Sequence, residues 1–285
     1  MAGRALVLGG GGVTGVAWEL GVLAGLAYAG IDLAAADVII GTSAGSVVAA
    51  QLTSGTDLEK LYAAQLLGAG DEIPARISAA TMLKWVLAFA GGRDARQGRA
   101  RVGRMALAAR TVPESERRRV IAARLPVHQW PARRLLITAV DAATGEFAVF
   151  AADSGVSLVD AVGASCAVPG VWPPVTIDGR RYIDGGVRSA ANVDLADGYE
   201  RVVVLAPTTG GAGPVPRVAT QVARLTATTA VRNAAVKTVV VSPDKRAKQA
   251  IGRNVLDPAR RAPAARAGRE QAAAVATAVA DVWHL

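Results

Sequence analysis

The chain has 285 residues, 52% hydrophobic and 19% charged, with 32 Lys and Arg against 23 Asp and Glu and a formal charge of +9. That length supplies a sizeable core for one large domain or two small ones, and no stretch reaches the roughly 18 uninterrupted apolar residues that a membrane-spanning helix needs. A single cysteine, Cys166, excludes a disulfide within the chain, and MAGRALVLGG runs into a glycine loop without a separate apolar region or cleavage site, so a cytoplasmic protein is expected.

The first apolar run, Ala5–Leu8, reads as a strand and meets Gly10-Gly11-Gly12-Val13-Thr14-Gly15, from which a helical pattern runs Thr14–Ala29. A second strand, Val38–Ile40, ends in Gly41-Thr42-Ser43-Ala44-Gly45 and passes into a helix over Ala44–Ser54. From about Leu58 to Pro131 the pattern is helical, glycine-punctuated and arginine-rich, with helices at Ile77–Ala90, Gly98–Ala109 and Glu114–Arg124; an insertion over one face of a sheet is expected. Strands follow at Leu135–Val140 and Phe147–Phe150, then a helix at Ser157–Ser165. Asp178-Gly179 reads as a hairpin turn between two strand-like pieces. Strand Val202–Leu205, helix Pro216–Ala230, strand Thr238–Val241, an Ala/Arg/Pro loop over Asp257–Gly268 and a last helical pattern at Pro263–Trp283 complete the chain. This alternation predicts one α/β domain over residues 1–285, a three-layer α/β/α arrangement with a mostly parallel central sheet. Trp18 and Trp283 are expected in its core.

The glycine loop satisfies G-x-G-x-x-G between a strand and a helix, the pattern that offers bare amides to a dinucleotide. A dinucleotide fold also needs an acidic residue at the end of the second strand to hold a ribose. Asp32 and Asp37 lie before that strand, and no GK[ST] follows for a phosphate loop. What ends the second strand is Gly41-x-Ser43-x-Gly45, a tight strand-to-helix turn that projects a serine hydroxyl. Its bland alternative is a turn with Ser43 near a helix cap. If both glycine turns end adjacent parallel strands, the first loop's amides stand beside the Ser43 hydroxyl and face a developing oxyanion.

A nucleophilic serine needs a base. The chain has two histidines, His128 in a loop-like stretch and His284 next to the C-terminus, where chains usually fray. Ser43, Asp184 and His284 follow the α/β-hydrolase order, so that triad stays an alternative. The carboxylate candidate is Asp184 in Asp184-Gly185-Gly186, which taken alone reads as a turn residue.

Four segments together resemble the patatin-like phospholipase family: the loop Gly10–Gly15, the elbow Gly41–Gly45, Ala164-Ser165-Cys166-Ala167-Val168-Pro169, and Asp184-Gly185-Gly186. The resemblance covers about Ala5 to Pro207. It implies Ser43 as nucleophile and Asp184 as base without a histidine, and an oxyanion hole of backbone amides among Gly10, Gly11, Gly12 and Val13. Gly15, Gly41, Gly45, Gly185 and Gly186 then support the motifs, with no cofactor and no metal. It implies a lipid acyl hydrolase that cuts carboxylic esters through an acyl-enzyme. One departure is Thr14, where the family commonly carries Lys or Arg; a non-catalytic or weakly active lipid-binding protein is the alternative that this departure raises. Cys166 is read as a packed thiol, and Trp172 with Pro173-Pro174 as part of the wall near the site.

Two features bear on where a substrate comes from. Ile77–Ala90 carries Lys84 as its single charge, and reads either as a buried core helix or as one that caps an acyl pocket and lies on a membrane. Twelve arginines, no lysine and three acids occupy 93–134, which predicts either a solvated face or peripheral contact with an anionic membrane. Without interleaved aromatics it predicts no nucleic-acid partner.

Overall fold

Strands form where short β-branched runs lie between glycine turns, as the apolar periodicity predicts. The computed structural model describes residues 3–68, 72–90, 94–210, 215–231 and 235–284. Its strands are β1 (Arg4–Leu8), β2 (Val38–Gly41), β3 (Arg134–Asp141), β4 (Phe147–Phe150), β5 (Val175–Ile177), β6 (Arg180–Asp184), β7 (Arg201–Leu205) and β8 (Lys237–Val241). Its helices are α1 (Gly12–Tyr28), α2 (Ala44–Leu52), α3 (Leu58–Leu66), α4 (Ala79–Phe89), α5 (Ala95–Leu107), α6 (Glu114–Arg124), α7 (Leu158–Ser165), α8 (Val218–Val231), α9 (Lys245–Ile251) and α10 (Arg261–Trp283).

All eight strands join one sheet in the order β5-β6-β3-β2-β1-β7-β8, with β4 also paired to β3. The pairs from β3 through β2, β1 and β7 to β8 are parallel, whereas β4 and β6 run antiparallel to β3 and β5 antiparallel to β6. The inner parallel strands β1, β2 and β7 are buried on both faces, which is why they are apolar runs without alternation, whereas the edge strand β8 is largely not buried. Asp178 and Gly179 close the β5–β6 hairpin with φ of +48° and +75°, the left-handed pair of a tight hairpin turn.

One long strand brings the two halves of the site together. Ile137 of β3 pairs with Gly41 of β2 and with Phe150 of β4, and Ala139 pairs with Asp184 of β6 and with Ala148 of β4. A strand residue has only two sides, so β4 occupies one side of β3 while β2 and β6 share the other. The ends of β2 and β6 therefore meet head to head, with Thr138 between them. The turn that leaves β2 is thereby delivered to the turn that leaves β6.

Helices α1, α2, α7, α9 and α10 cover one face, where Leu6, Leu8, Ile39, Ile137 and Leu205 pack with Trp18 and Trp283, both buried as expected. α8 covers the other face against Val7, Ile40 and Val204. The insertion does not lie over one face: α3 and α6 contribute Leu61 and Ile121 to the first core, while α5 contributes Val102 and Ala106 to a separate cluster with Val140 and Ile183. Alternate residues of β3 point to opposite faces, so a segment wrapping around the sheet's edge can pack on both.

The loop expected over Asp257–Gly268 is helix from Arg261 onward. Asp257 accepts from the Ala259 amide, and Pro263 falls in the first turn, where no N–H is needed. α9 carried too short an apolar pattern to be predicted; the Asp244 carboxylate caps it through the Ala247 amide. No helix among the described residues is long and apolar enough to cross a membrane.

Candidate active site

The elbow is built by a close approach that only glycine allows. A Cβ on Gly45 would lie 2.1 Å from the Leu8 carbonyl oxygen, so α2 can start directly against the end of β1. Gly41 is the last residue of β2, and Ser43 then turns with φ +53° and ψ −115°, a conformation that costs a side-chain-bearing residue on the order of 1–3 kcal/mol. The turn is held from three directions. The Ser43 amide donates to Ser165 Oγ at 2.8 Å, and its carbonyl accepts from Ser46 Oγ at 2.6 Å and from Cys166 Sγ at 3.3 Å. Cys166 is thus a buried structural thiol, its pKa raised by burial.

The Ser43 hydroxyl donates to Asp184 Oδ2 at 2.7 Å, and both residues are buried, 8% and 5% exposed. Asp184 Oδ1 accepts from the Gly186 amide at 2.7 Å, which fixes the carboxylate in plane as Gly185 and Gly186 open a short 3₁₀ turn. Burial pushes the Asp184 carboxyl up to about 6, against the bonds from Ser43 and Gly186, which favour its ionised form. Beneath the pair lies a polar lock that the sequence did not reveal. Thr42 Oγ1 and Thr138 Oγ1 are 2.9 Å apart, and Asn192 Nδ2 donates to both, at 3.0 and 3.3 Å. Asn192 sits in the left-handed region at φ +51°, and nothing in its sequence neighbourhood marked it.

The glycine loop stands beside this pair because β1 and β2 are parallel neighbours, Leu8 opposite Gly41. Its amides are not equivalent. Gly10 donates to Ala190 O at 2.7 Å, Thr14 to Val255 O at 3.2 Å and Gly15 to Gly11 O at 2.8 Å. The engaged amide removes Gly10 from the donors that the sequence suggested. Gly11, Gly12 and Val13 have no backbone acceptor among the described residues. Gly12 opens α1 at φ +63°, where a Cβ would meet the Val255 oxygen at 2.4 Å. α1 and α2 thus begin at Gly12 and Ala44 on the same edge, and both helix N-termini place positive potential there. Thr14 is fully buried with its hydroxyl 3.2 Å from Val255 O, so it fastens the loop.

Ser43, Asp184 and Gly10–Gly12 border a cavity of about 630 Å³ whose other walls include Trp85, Val102, Val168, Val187 and Leu256. Helix α4 roofs it. α4 has no fully buried residue, so the reading of a buried core helix is overturned: Trp85 and Phe89 pack downward while Met82, Leu83, Val86 and Leu87 are 53, 58, 51 and 60% exposed. Neither histidine joins the site. His128 and His284 are exposed, with His128 Nε2 against Ala122 O.

Residues 6–197 match the family described as patatin-like phospholipase. The chain belongs to the patatin-like phospholipase family. The matched span contains the glycine loop, the elbow, Ser165, Asp184 and Asn192. Hydrolysis of lipid acyl esters is the general activity that this membership supports. Among solved structures, VipD from Legionella pneumophila superposes with a TM-score of 0.51 at 15% identity, over 98% of this chain and 67% of that one. The type III effector ExoU superposes with a TM-score of 0.42 at 17% identity, over 97% of this chain and 53% of that one. The VipD likeness is one of fold. No curated protein matches the chain in sequence.

Proposed function

We propose that the protein is a serine lipid acyl hydrolase whose nucleophile is Ser43 and whose base is Asp184, acting on carboxylic esters through a covalent acyl-enzyme. The 2.7 Å bond between Ser43 Oγ and Asp184 Oδ2, at the floor of an apolar cavity, carries this reading. Asp184 takes the hydroxyl proton as Oγ attacks the ester carbonyl carbon, and the resulting oxyanion is received by the amides of Gly11, Gly12 and Val13. The protonated Asp184 then gives its proton to the departing alcohol. Water, deprotonated by Asp184, attacks the acyl-serine, and Asp184 returns that proton to Ser43 Oγ as the acid leaves. A carboxyl near pH 6 is ionised at neutral pH yet basic enough to share in both transfers. No step calls on a histidine or a metal.

The substrate enters under α4, whose exposed Met82 and Val86 stand at the rim of the cavity. Lys84 and the exposed Arg104 on the adjoining α5 favour an anionic lipid surface there, whereas Arg96 pairs with Glu146. The patch is smaller than twelve arginines implied. Arg93 lies outside the described residues, and Arg99, Arg101 and Arg124 bond Gly145 O, Ala88 O and Glu72. The test is labelling by a fluorophosphonate probe together with fatty-acid release from mixed micelles. Wild-type protein should be labelled and active and Ser43→Ala neither; a wild-type protein that is not labelled defeats the assignment.

A further inference from the structure

The glycine loop carries no cation of its own: Thr14 is buried and turned to Val255. A different cation lines a cavity that Ser43 also lines. Arg117 of α6 is only 6% exposed, and its Nε and Nη1 are buried without any acceptor. Its guanidinium carbon sits 3.9 Å from the centre of the Trp172 ring, which holds the group in place by a cation–π contact. Arg117 and Trp172 line a narrow cavity of about 20 Å³ together with Gly12, Val13, Ser43 and Arg124. That cavity shares Gly12, Ser43, Val168 and Leu256 with the large apolar one.

The other cations of α6 differ. Arg118 pairs with Asp160 and Arg124 with Glu72, and Arg119 is exposed. Arg117 alone on this helix is both buried and without a carboxylate. Burial, aided by Arg124, pulls its guanidinium down to about 9, opposed by Cys166 and Glu72, so it stays charged at neutral pH. An unpaired buried cation is costly, and one that lines the same small cavity as a nucleophile can offset that cost by receiving an anionic oxygen.

We propose that Arg117 and this cavity form an anion subsite that receives one charged phosphate oxygen of a phospholipid while Ser43 attacks that lipid's ester. The inference rests on the Ser43–Asp184 reading and narrows its substrate class. A cavity of this size admits a group about the size of a water molecule, so the rest of the headgroup stays in the wider pocket. The acyl chain takes the apolar 630 Å³.

The test uses dimethyl phosphate, a phosphodiester monoanion, as a competitor of p-nitrophenyl butyrate hydrolysis, with neutral trimethyl phosphate as control. The wild-type protein should be competitively inhibited by the first and not by the second. In Arg117→Gln the inhibition constant should rise roughly 10- to 100-fold, with part of the affinity restored in Arg117→Lys. The ratio of phosphatidylglycerol to diacylglycerol turnover should fall by a similar factor in Arg117→Gln. A parallel fall on both lipids would assign Arg117 to the carbonyl oxyanion or to packing and overturn the subsite. Competition by dimethyl phosphate without any change in the lipid ratio would mean a free-phosphate site and overturn headgroup recognition. Absence of competition in wild-type protein overturns the proposal with no variant needed. If wild-type protein hydrolyses no ester, the Ser43–Asp184 reading has failed separately. The subsite is then read from the change that dimethyl phosphate causes in tryptophan emission, which must vanish in Trp172→Phe; no such change overturns it.

Discussion

Ser43 and Asp184 stand 141 positions apart, yet share a 2.7 Å hydrogen bond because the strands that carry them end head to head along one side of β3. The carboxylate is buried and its pKa raised to about 6, so ionising it in the folded protein is harder than in the unfolded chain. Activity should therefore rise with pH through a single limb centred near 6, with no second limb from a histidine. Stability should run the other way. A carboxyl whose folded pKa lies above its unfolded value of 3.8 contributes fully below that value and loses its contribution as pH rises through about 6. Asp184→Asn should thus raise the melting temperature at pH 8 relative to wild type, and the gain should shrink toward pH 4. Calorimetry at the two pH values decides it, and an equal effect at both would refute the buried-charge account.

The proton-transfer unit predicts strong non-additivity. Ser43→Ala and Asp184→Asn should each lower turnover on the order of 10⁴- to 10⁶-fold, and the double variant should lose little more. Ser43→Gly should be equally inactive but more stable than Ser43→Ala by about 1 kcal/mol, because glycine relieves the φ of +53° at no steric cost. Kinetics and denaturant titration of the four proteins measure both effects.

His128→Ala and His284→Ala should each keep activity within a few-fold of wild type, since both side chains are exposed and away from Asp184's two hydrogen-bond donors. A loss of about a hundredfold in His284→Ala would replace the dyad by the Ser-Asp-His alternative.

Much of the site was legible because it depends on local geometry. The pairs Gly41/Gly45 and Asp178/Gly179 mark turns whose backbone admits few other residues, so their positions could be read directly. What stayed hidden depends on long-range pairing. Nothing local to Asp184 says that β6 meets β2 across Thr138, and nothing near Asn192 says that its amide binds Thr42 and Thr138. The engaged Gly10 amide needs Ala190 as a partner, and Arg117 was one arginine among twelve until α6 turned it under Trp172. Periodicity could not separate α4 as a roof from α4 as core, because both require the same apolar side chains.

The elbow should tolerate no side chain at Gly45. A Cβ there would sit 2.1 Å from Leu8 O, which is backbone and cannot swing aside. Gly45→Ala should therefore cost about 1–3 kcal/mol or more and abolish activity by moving α2 with Ser43. Gly163→Ala in α7 is the matched control: its nearest neighbour would be the Val175 side chain at 3.5 Å, ordinary contact, so stability should be kept or rise. Equal damage from both would show that steric approach is not what holds the elbow.

The last expectation concerns α4. Its Met82, Leu83, Val86 and Leu87 recur at helical spacing, so together they make one exposed apolar stripe at the mouth of the cavity. The helix is 11 residues long, too short to span a bilayer but suited to lying on one. Lys84 and Arg104 are exposed on α4 and α5, and each basic side chain near an anionic leaflet adds about 1 kcal/mol, so salt should weaken association. The protein should sediment with phosphatidylglycerol vesicles at low salt, less so at high salt, and little with phosphatidylcholine. Leu83→Glu with Leu87→Glu should abolish that binding and lower turnover of vesicular lipid, while hydrolysis of a soluble short-chain ester continues because neither residue borders the cavity. Equal binding to both vesicle types, or none to either, would leave α4 as a roof over the pocket with no role at the lipid surface.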